Sequence, residues 1–173
     1  GTRMDKLFLC DLTTMETTTL HMFSNTSYGQ SLPSLMDGVL VWADAERSGS
    51  TDEEDVSVIY SVRLGSASIQ SIHTETYAHD PISNGQYTAW LDAHHSLQTK
   101  LCCMAQGASE PTLVAQGVVQ FGMGNKFIAY SKDETIYLYR FDNKKTYKLS
   151  GEYEKAQFMD VSDGKVIWMD VTS

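Results

Sequence analysis

Histidines beside carboxylates are the residues of this 173-residue chain best equipped for chemistry. His94 and His95 follow Asp92, and His79 precedes Asp80. Such pairs hold zinc or position a proton for acid–base work. Their spacing favours neither use: adjacent residues on extended chain point to opposite sides, and no His-x-His or His-Glu-x-x-His pattern occurs. His94 and His95 therefore read as solvated loop residues. The acidic run Asp52-Glu53-Glu54-Asp55 lacks the alternating ligands and glycine of a calcium loop. It reads as a self-repelling insertion whose functional use would be contact with a basic partner. No Gly-x-Ser-x-Gly elbow is present, and no carboxylates stand at matched strand ends as a glycosidase requires. The three cysteines, Cys10, Cys102 and Cys103, are an odd set without a Cys-x-x-Cys pair. Vicinal Cys102 and Cys103 would lie on opposite faces of a strand as small apolar residues. No catalytic residue, metal ligand or cofactor site is assigned.

The aromatic residues lead from chemistry to architecture. Trp42, Trp90, Tyr130 and Trp168 recur at intervals of 48, 40 and 38 residues. Each closes a polar turn and a short apolar run: Asp37-Gly38 before Trp42, Asn84-Gly85 before Trp90, Asn125 before Tyr130 and Asp163-Gly164 before Trp168. Such turns require positive φ and join hairpins. Asn125 is expected to take the left-handed conformation that Gly85 takes in its repeat. A ligand contact has no need to recur at one register in every repeat, so the anchors are expected to pack between neighbouring units.

A second repeated apolar strand is read as following each anchor, in the segments Leu7-Phe8-Leu9, Val58-Ile59-Tyr60, Leu101-Cys102-Cys103 and Ile136-Tyr137-Leu138. A more polar strand follows it at 18–22, 69–72, 112–115 and 146–149. No apolar run keeps a 3.6-residue period, so few helices are expected. The fold class is all-β: a β-propeller of four-stranded antiparallel blades, with about four blades' worth of strands in one domain over residues 1–173. The phase is split. The chain opens on the outer half of one blade and closes on the inner half of another, so residues 157–169 are expected to pair with residues 6–22. The alternative is two chains that each give half of an eight-bladed ring, a homodimer of half-propellers, or union with upstream blades. Gly1 in place of an initiating Met reads as the start of a fragment of a longer precursor.

These units resemble the repeat of TolB-like propellers, which also occurs in the propeller of prolyl oligopeptidases, and more broadly WD40-like repeats. The residues that carry the resemblance are Ile136-Tyr137-Leu138-Tyr139-Arg140-Phe141-Asp142 with its Leu149-Ser150 end, Leu7-Phe8-Leu9-Cys10-Asp11-Leu12-Thr13, and Asp80-Pro81-Ile82-Ser83-Asn84-Gly85. The resemblance implies a propeller that is commonly extracytoplasmic and binds partner proteins.

Charge narrows the partners. Thirteen basic against twenty-two acidic residues give a net charge of −9, which argues against nucleic acid. No stretch approaches about 18 uninterrupted apolar residues, so no membrane span is expected. The function expected from the sequence is a non-enzymatic propeller, an interaction or sensing domain of a cell-envelope protein that takes a protein or peptide partner. The alternative is a carbohydrate-binding or degenerate glycosidase-like propeller that uses its central funnel. Tyr28, Tyr77, Phe121 and Tyr153 lie before or in the inner strands and are the candidate ligand surface.

Overall fold

Short β-branched and aromatic runs closed by polar turns leave the chain little choice but to meander. The computed structural model describes residues 5–23, 31–47, 55–74, 77–92, 99–162 and 164–172, and among them holds sixteen strands and no helix. β1 (Lys6–Cys10) and β2 (Thr17–Met22) form a two-stranded hairpin. Three complete blades follow. The first is β3 (Ser34–Met36), β4 (Val39–Arg47), β5 (Asp55–Arg63) and β6 (Ile69–His73). The second is β7 (Ala78–Ser83), β8 (Tyr87–Asp92), β9 (Lys100–Ala105) and β10 (Thr112–Gln116). The third is β11 (Gln120–Met123), β12 (Phe127–Lys132), β13 (Thr135–Arg140) and β14 (Thr146–Lys148). β15 (Ala156–Ser162) and β16 (Lys165–Asp170) close the chain as a second hairpin. Among the described residues no helix is long and apolar enough to cross a membrane.

The second strand of each blade is buried on both faces, and its two faces differ in kind. One face looks back to the preceding blade and carries the aromatic anchor; the other looks forward and is small. Leu40 and Trp42 face back onto Leu7, Leu20 and Phe23, whereas Val41 and Ala43 face forward onto Ala78, Trp90 and Cys102. Ala89 and Leu91 then face forward onto Phe121, Ile128 and Tyr130, and Ala129 faces forward onto Met159 and Trp168. Aromatic rings thus enter space left by alanines, and the four anchors pack between blades as their periodicity requires. Fully burying one such apolar side chain contributes about 1.5–3 kcal/mol, so the seams rather than any single blade supply the core.

A hydrogen bond ties the end of each outer strand to the start of the strand inside it. Phe23 N donates to the Asp5 carbonyl, Thr74 N to Ser57, Gly117 N to Thr99 and Leu149 N to Ile136. Twice a hydroxyl reinforces the tie: Ser57 N donates to Thr74 Oγ1 at 3.2 Å, and Ile136 N to Ser150 Oγ at 3.1 Å. These hydroxyls satisfy backbone groups that the crossover to the next blade would otherwise leave without partners.

Two expectations need correction. Asn125 is not left-handed. Asp37 (φ 49°) and Gly38 (φ 73°) form the expected turn, but the third repeat's turn lacks a positive φ at 124–126. What that turn requires is a missing side chain: a Cβ on Gly124 would stand 2.7 Å from the Phe127 ring. The second correction concerns the terminal hairpins, which remain separate two-stranded sheets with no ladder between 157–169 and 6–22 among the described residues. The described strands follow an open arc instead of closing a ring of four blades.

Candidate functional site

Strand direction places polar groups at two rims. At one, chains cross from blade to blade; at the other lie the tight turns between first and second and between third and fourth strands. Pairing of Ala78 with Asp92 and Arg47 with Asp55 puts the ends of β8 and β4 and the start of β7 at the crossover rim. His21, near the end of β2, lies there too.

His79 and Asp80 are brought together. His79 Nδ1 lies 3.0 Å from Asp80 Oδ2, with the Tyr77 ring 5.7 Å from the imidazole. Asp80 takes φ 51° ahead of Pro81, and the β7–β8 register shifts between His79 and Ile82. That bulge turns Asp80 off the ladder toward the segment before β3. There its N–H donates to Ser31 Oγ at 2.6 Å, and its Oδ1 accepts from Leu32 N at 3.1 Å. The His79 hydrogen bond, aided by Leu32 N against the opposing effect of burial, holds the Asp80 carboxyl below the usual carboxylate range. The nearby Ser31 hydroxyl serves the Asp80 backbone, so this pair fastens two blades and lacks the nucleophile–base geometry of hydrolysis.

A second histidine–carboxylate pair escaped sequence reasoning. His21 Nε2 stands 2.7 Å from Asp44 Oδ2, and the Asp44 side chain is only 1% exposed. Phe23, Trp42 and Tyr60 surround the imidazole with ring centroids 5.1–5.5 Å away. A signal was present: Asp44 and Asp92 each lie two residues beyond a tryptophan anchor, at Trp42-Ala43-Asp44 and Trp90-Leu91-Asp92. Period-2 alternation places such an aspartate on its anchor's buried face.

The turn rim holds a groove of about 600 Å³ between the first two complete blades. Ser61, Ser68, Gln70, Gln86 and Gln106 line it, with Arg63 as the charged lining residue. Arg63 Nη1 donates to the Asp37 carbonyl at 3.4 Å, and the guanidinium lies over Gly85, where a Cβ would come within 2.7 Å of Nη2. Among the described residues this lining sets a cation beside hydroxyls and amides and holds no carboxylate, which suits a polar anionic group such as a peptide carboxylate.

The four aromatics proposed as a ligand surface do not converge. Tyr28 lies outside the described residues, as do His94, His95 and 52–54. Tyr77 is half-buried beside His79, Phe121 is buried in the seam between β7–β10 and β11–β14, and Tyr153 is exposed on the link to β15. Among the described residues no group of three or more His, Cys, Asp or Glu could hold a metal ion.

The vicinal cysteines do separate across the sheet, Cys102 toward the preceding blade and Cys103 toward the following one. Burial pushes their thiols up to about 11 and about 12. At pH 8 a thiol reagent should therefore label exposed Cys10 rapidly and the other two only after unfolding in urea. Rapid labelling of all three in buffer would show that the seams open.

No family model matches the chain, and no curated protein does. Solved structures do. The β-propeller domain of the Trilobed protease from Pyrococcus furiosus, described as having an open velcro topology, aligns with a TM-score of 0.56 at 10% identity. The match covers 81% of this chain and 56% of that one. The acylaminoacyl peptidase of Pyrococcus horikoshii aligns with a TM-score of 0.52 at 7% identity, over 81% of this chain and 32% of that one. The chain thus spans about a third to just over half of the length of these two structures. Both neighbours belong to peptidases, which corrects the expectation of a non-enzymatic interaction or sensing propeller and of its carbohydrate-binding alternative. By strands, seams and neighbours alike, the chain is a partial β-propeller.

Proposed function

We propose that this chain is the propeller portion of a peptidase-related protein and that it receives peptides. The observation that carries the reading is the alignment of 81% of the chain with a propeller domain of a protease. The Arg63 groove adds a fitting local chemistry, since a peptide offers a carboxylate for the guanidinium and amides for the serine and glutamine side chains. No hydrolytic step is assigned to the described residues, because the sequence has no Gly-x-Ser-x-Gly elbow and the His79–Asp80 pair is engaged in fastening. The likeness of the repeat to TolB-like propellers accords with this reading, as that repeat also occurs beside peptidase domains.

Fluorescence anisotropy with labelled tri- to pentapeptides tests the proposal. Saturable binding is expected, weakened at least about fivefold by Arg63→Gln, which removes the charge and the fork of donors. Peptides that leave the anisotropy unchanged at every protein concentration would overturn it.

A further inference from the structure

The sequence holds one Asn-Gly pair, Asn84-Gly85, and it lies in the turn between β7 and β8. Asparagine before glycine is the amide most open to deamidation, because glycine has no side chain to hinder attack by its own backbone nitrogen. In that reaction the Gly85 nitrogen loses its proton to hydroxide and bonds to Asn84 Cγ. The Cγ–Nδ2 bond then breaks, and the amide nitrogen leaves as ammonia with a proton from water. Water opens the resulting cyclic imide at either carbonyl, which yields aspartate or isoaspartate.

In the folded chain each reacting group is engaged. Gly85 N donates to Ser83 Oγ at 3.2 Å. Ser83 is buried, accepts from Thr88 Oγ1 at 3.1 Å and donates to the Tyr87 carbonyl at 3.1 Å. The proton that hydroxide must remove therefore points at a buried hydroxyl. Asn84 Oδ1 accepts from Gln86 N at 3.0 Å and from Tyr87 N at 2.8 Å, which fixes the plane of the amide. Nδ2, the atom that would depart, donates to the Gly124 and Asn125 carbonyls at 3.3 Å each. Those carbonyls belong to the β11–β12 turn, so the leaving nitrogen is also a tie from the second complete blade to the third.

We propose that Asn84 is a deamidation site gated by the seam between the second and third complete blades. It is protected while that seam is closed, and its conversion removes the side-chain donor that crosses the seam at the turn rim. Either product sets an anionic oxygen where Nδ2 met two carbonyl oxygens, acceptor against acceptor. The turn itself accommodates a carboxylate, since Asp37 and Asp163 precede glycine at the same place in their repeats. What is lost is the tie. A seam that has opened long enough to react then opens more readily, and the conversion keeps a covalent record of the event.

Peptide mapping by mass spectrometry tests the proposal on the full chain, held for days at pH 8 in buffer or in concentrated guanidinium chloride. Asn84 should gain the mass of one deamidation at least about tenfold faster in denaturant, because in buffer only the opened fraction reacts. Asn25, Asn125 and Asn143, each followed by threonine or lysine, should lag behind it in denaturant. Equal rates at Asn84 in the two solutions would overturn the proposal, as would an Asn84 no faster than the other three in denaturant. Asn84→Asp, the aspartyl product itself, tests the consequence. Cys103 faces the seam that Asn84 crosses, and Cys102 faces the preceding one. A thiol reagent in buffer should label Cys103 at least about fivefold faster in the variant than in the wild type, with Cys102 unchanged. Should that variant fail to fold, Asn84→Ser replaces it, since it lacks the amide donor and adds no charge. Equal acceleration of both cysteines would mean general loosening, and unaltered labelling would mean that the tie holds nothing. Either result would overturn the gate.

Discussion

His21→Ala should destabilise the protein by about 3 kcal/mol or more, although His21 lies on an outer strand where substitutions commonly change stability by about 0.5 kcal/mol. The reason is Asp44. Its carboxylate is almost fully enclosed, and His21 contributes a 2.7 Å contact to it across the first seam. Removing one member of a buried, hydrogen-bonded pair withdraws a polar partner from a carboxyl group that water reaches poorly. The midpoint of urea unfolding would report the loss. His21→Phe separates two contributions, because it keeps a ring against Phe23, Trp42 and Tyr60 while losing the nitrogen. Most of the loss is expected to persist in that variant. If His21→Phe instead costs no more than about 0.5 kcal/mol, ring packing holds the first hairpin and the hydrogen bond to Asp44 contributes little.

Trp90→Ala is the second substitution with a large expected effect, about 3–5 kcal/mol. Trp90 is 2% exposed and fills the seam between the first two complete blades, against Val41, Ala43 and Ile59. Its Nε1 is buried and has no hydrogen-bond partner. Trp90→Phe should therefore cost far less, under about 1.5 kcal/mol, because the lost volume is offset by removal of an unsatisfied donor. Thermal and urea unfolding of both variants check the pair. Equal, large losses would mean that the indole nitrogen matters, and would contradict a packing role for the anchor.

Strands and seams were legible because both obey short-range rules. Outer strands read from the sequence at 18–22, 69–72, 112–115 and 146–149 are found at Thr17–Met22, Ile69–His73, Thr112–Gln116 and Thr146–Lys148. Alternation placed Cys102 and Cys103 on opposite faces, and recurrence placed the anchors between blades. Closure was not legible, because it depends on the summed rotation between blades, which no local pattern records. The His21–Asp44 pair joins residues 23 apart on different blades, and His21 hides in the polar string Thr17-Thr18-Thr19-Leu20-His21. Arg63 closes a strand that looks like any other, and its groove exists only once a second blade stands beside it. Phe121 was chosen for being outside the strict repeat, yet its β-strand alternation turns it into a seam. Asn125 shows that a turn can keep its place in a repeat while changing its steric reason.

The opposed alanine and aromatic faces give the arc a direction, and with it a way to change length over evolutionary time. A blade whose front accepts rings and whose back presents one can be copied and inserted in tandem, since each new boundary meets a surface already shaped for it. Lengthening by whole units then needs no new core, whereas insertion of a half-unit strands two edges. Recombination within such a gene is accordingly constrained to a period of roughly 40 residues, counted from any point in the repeat.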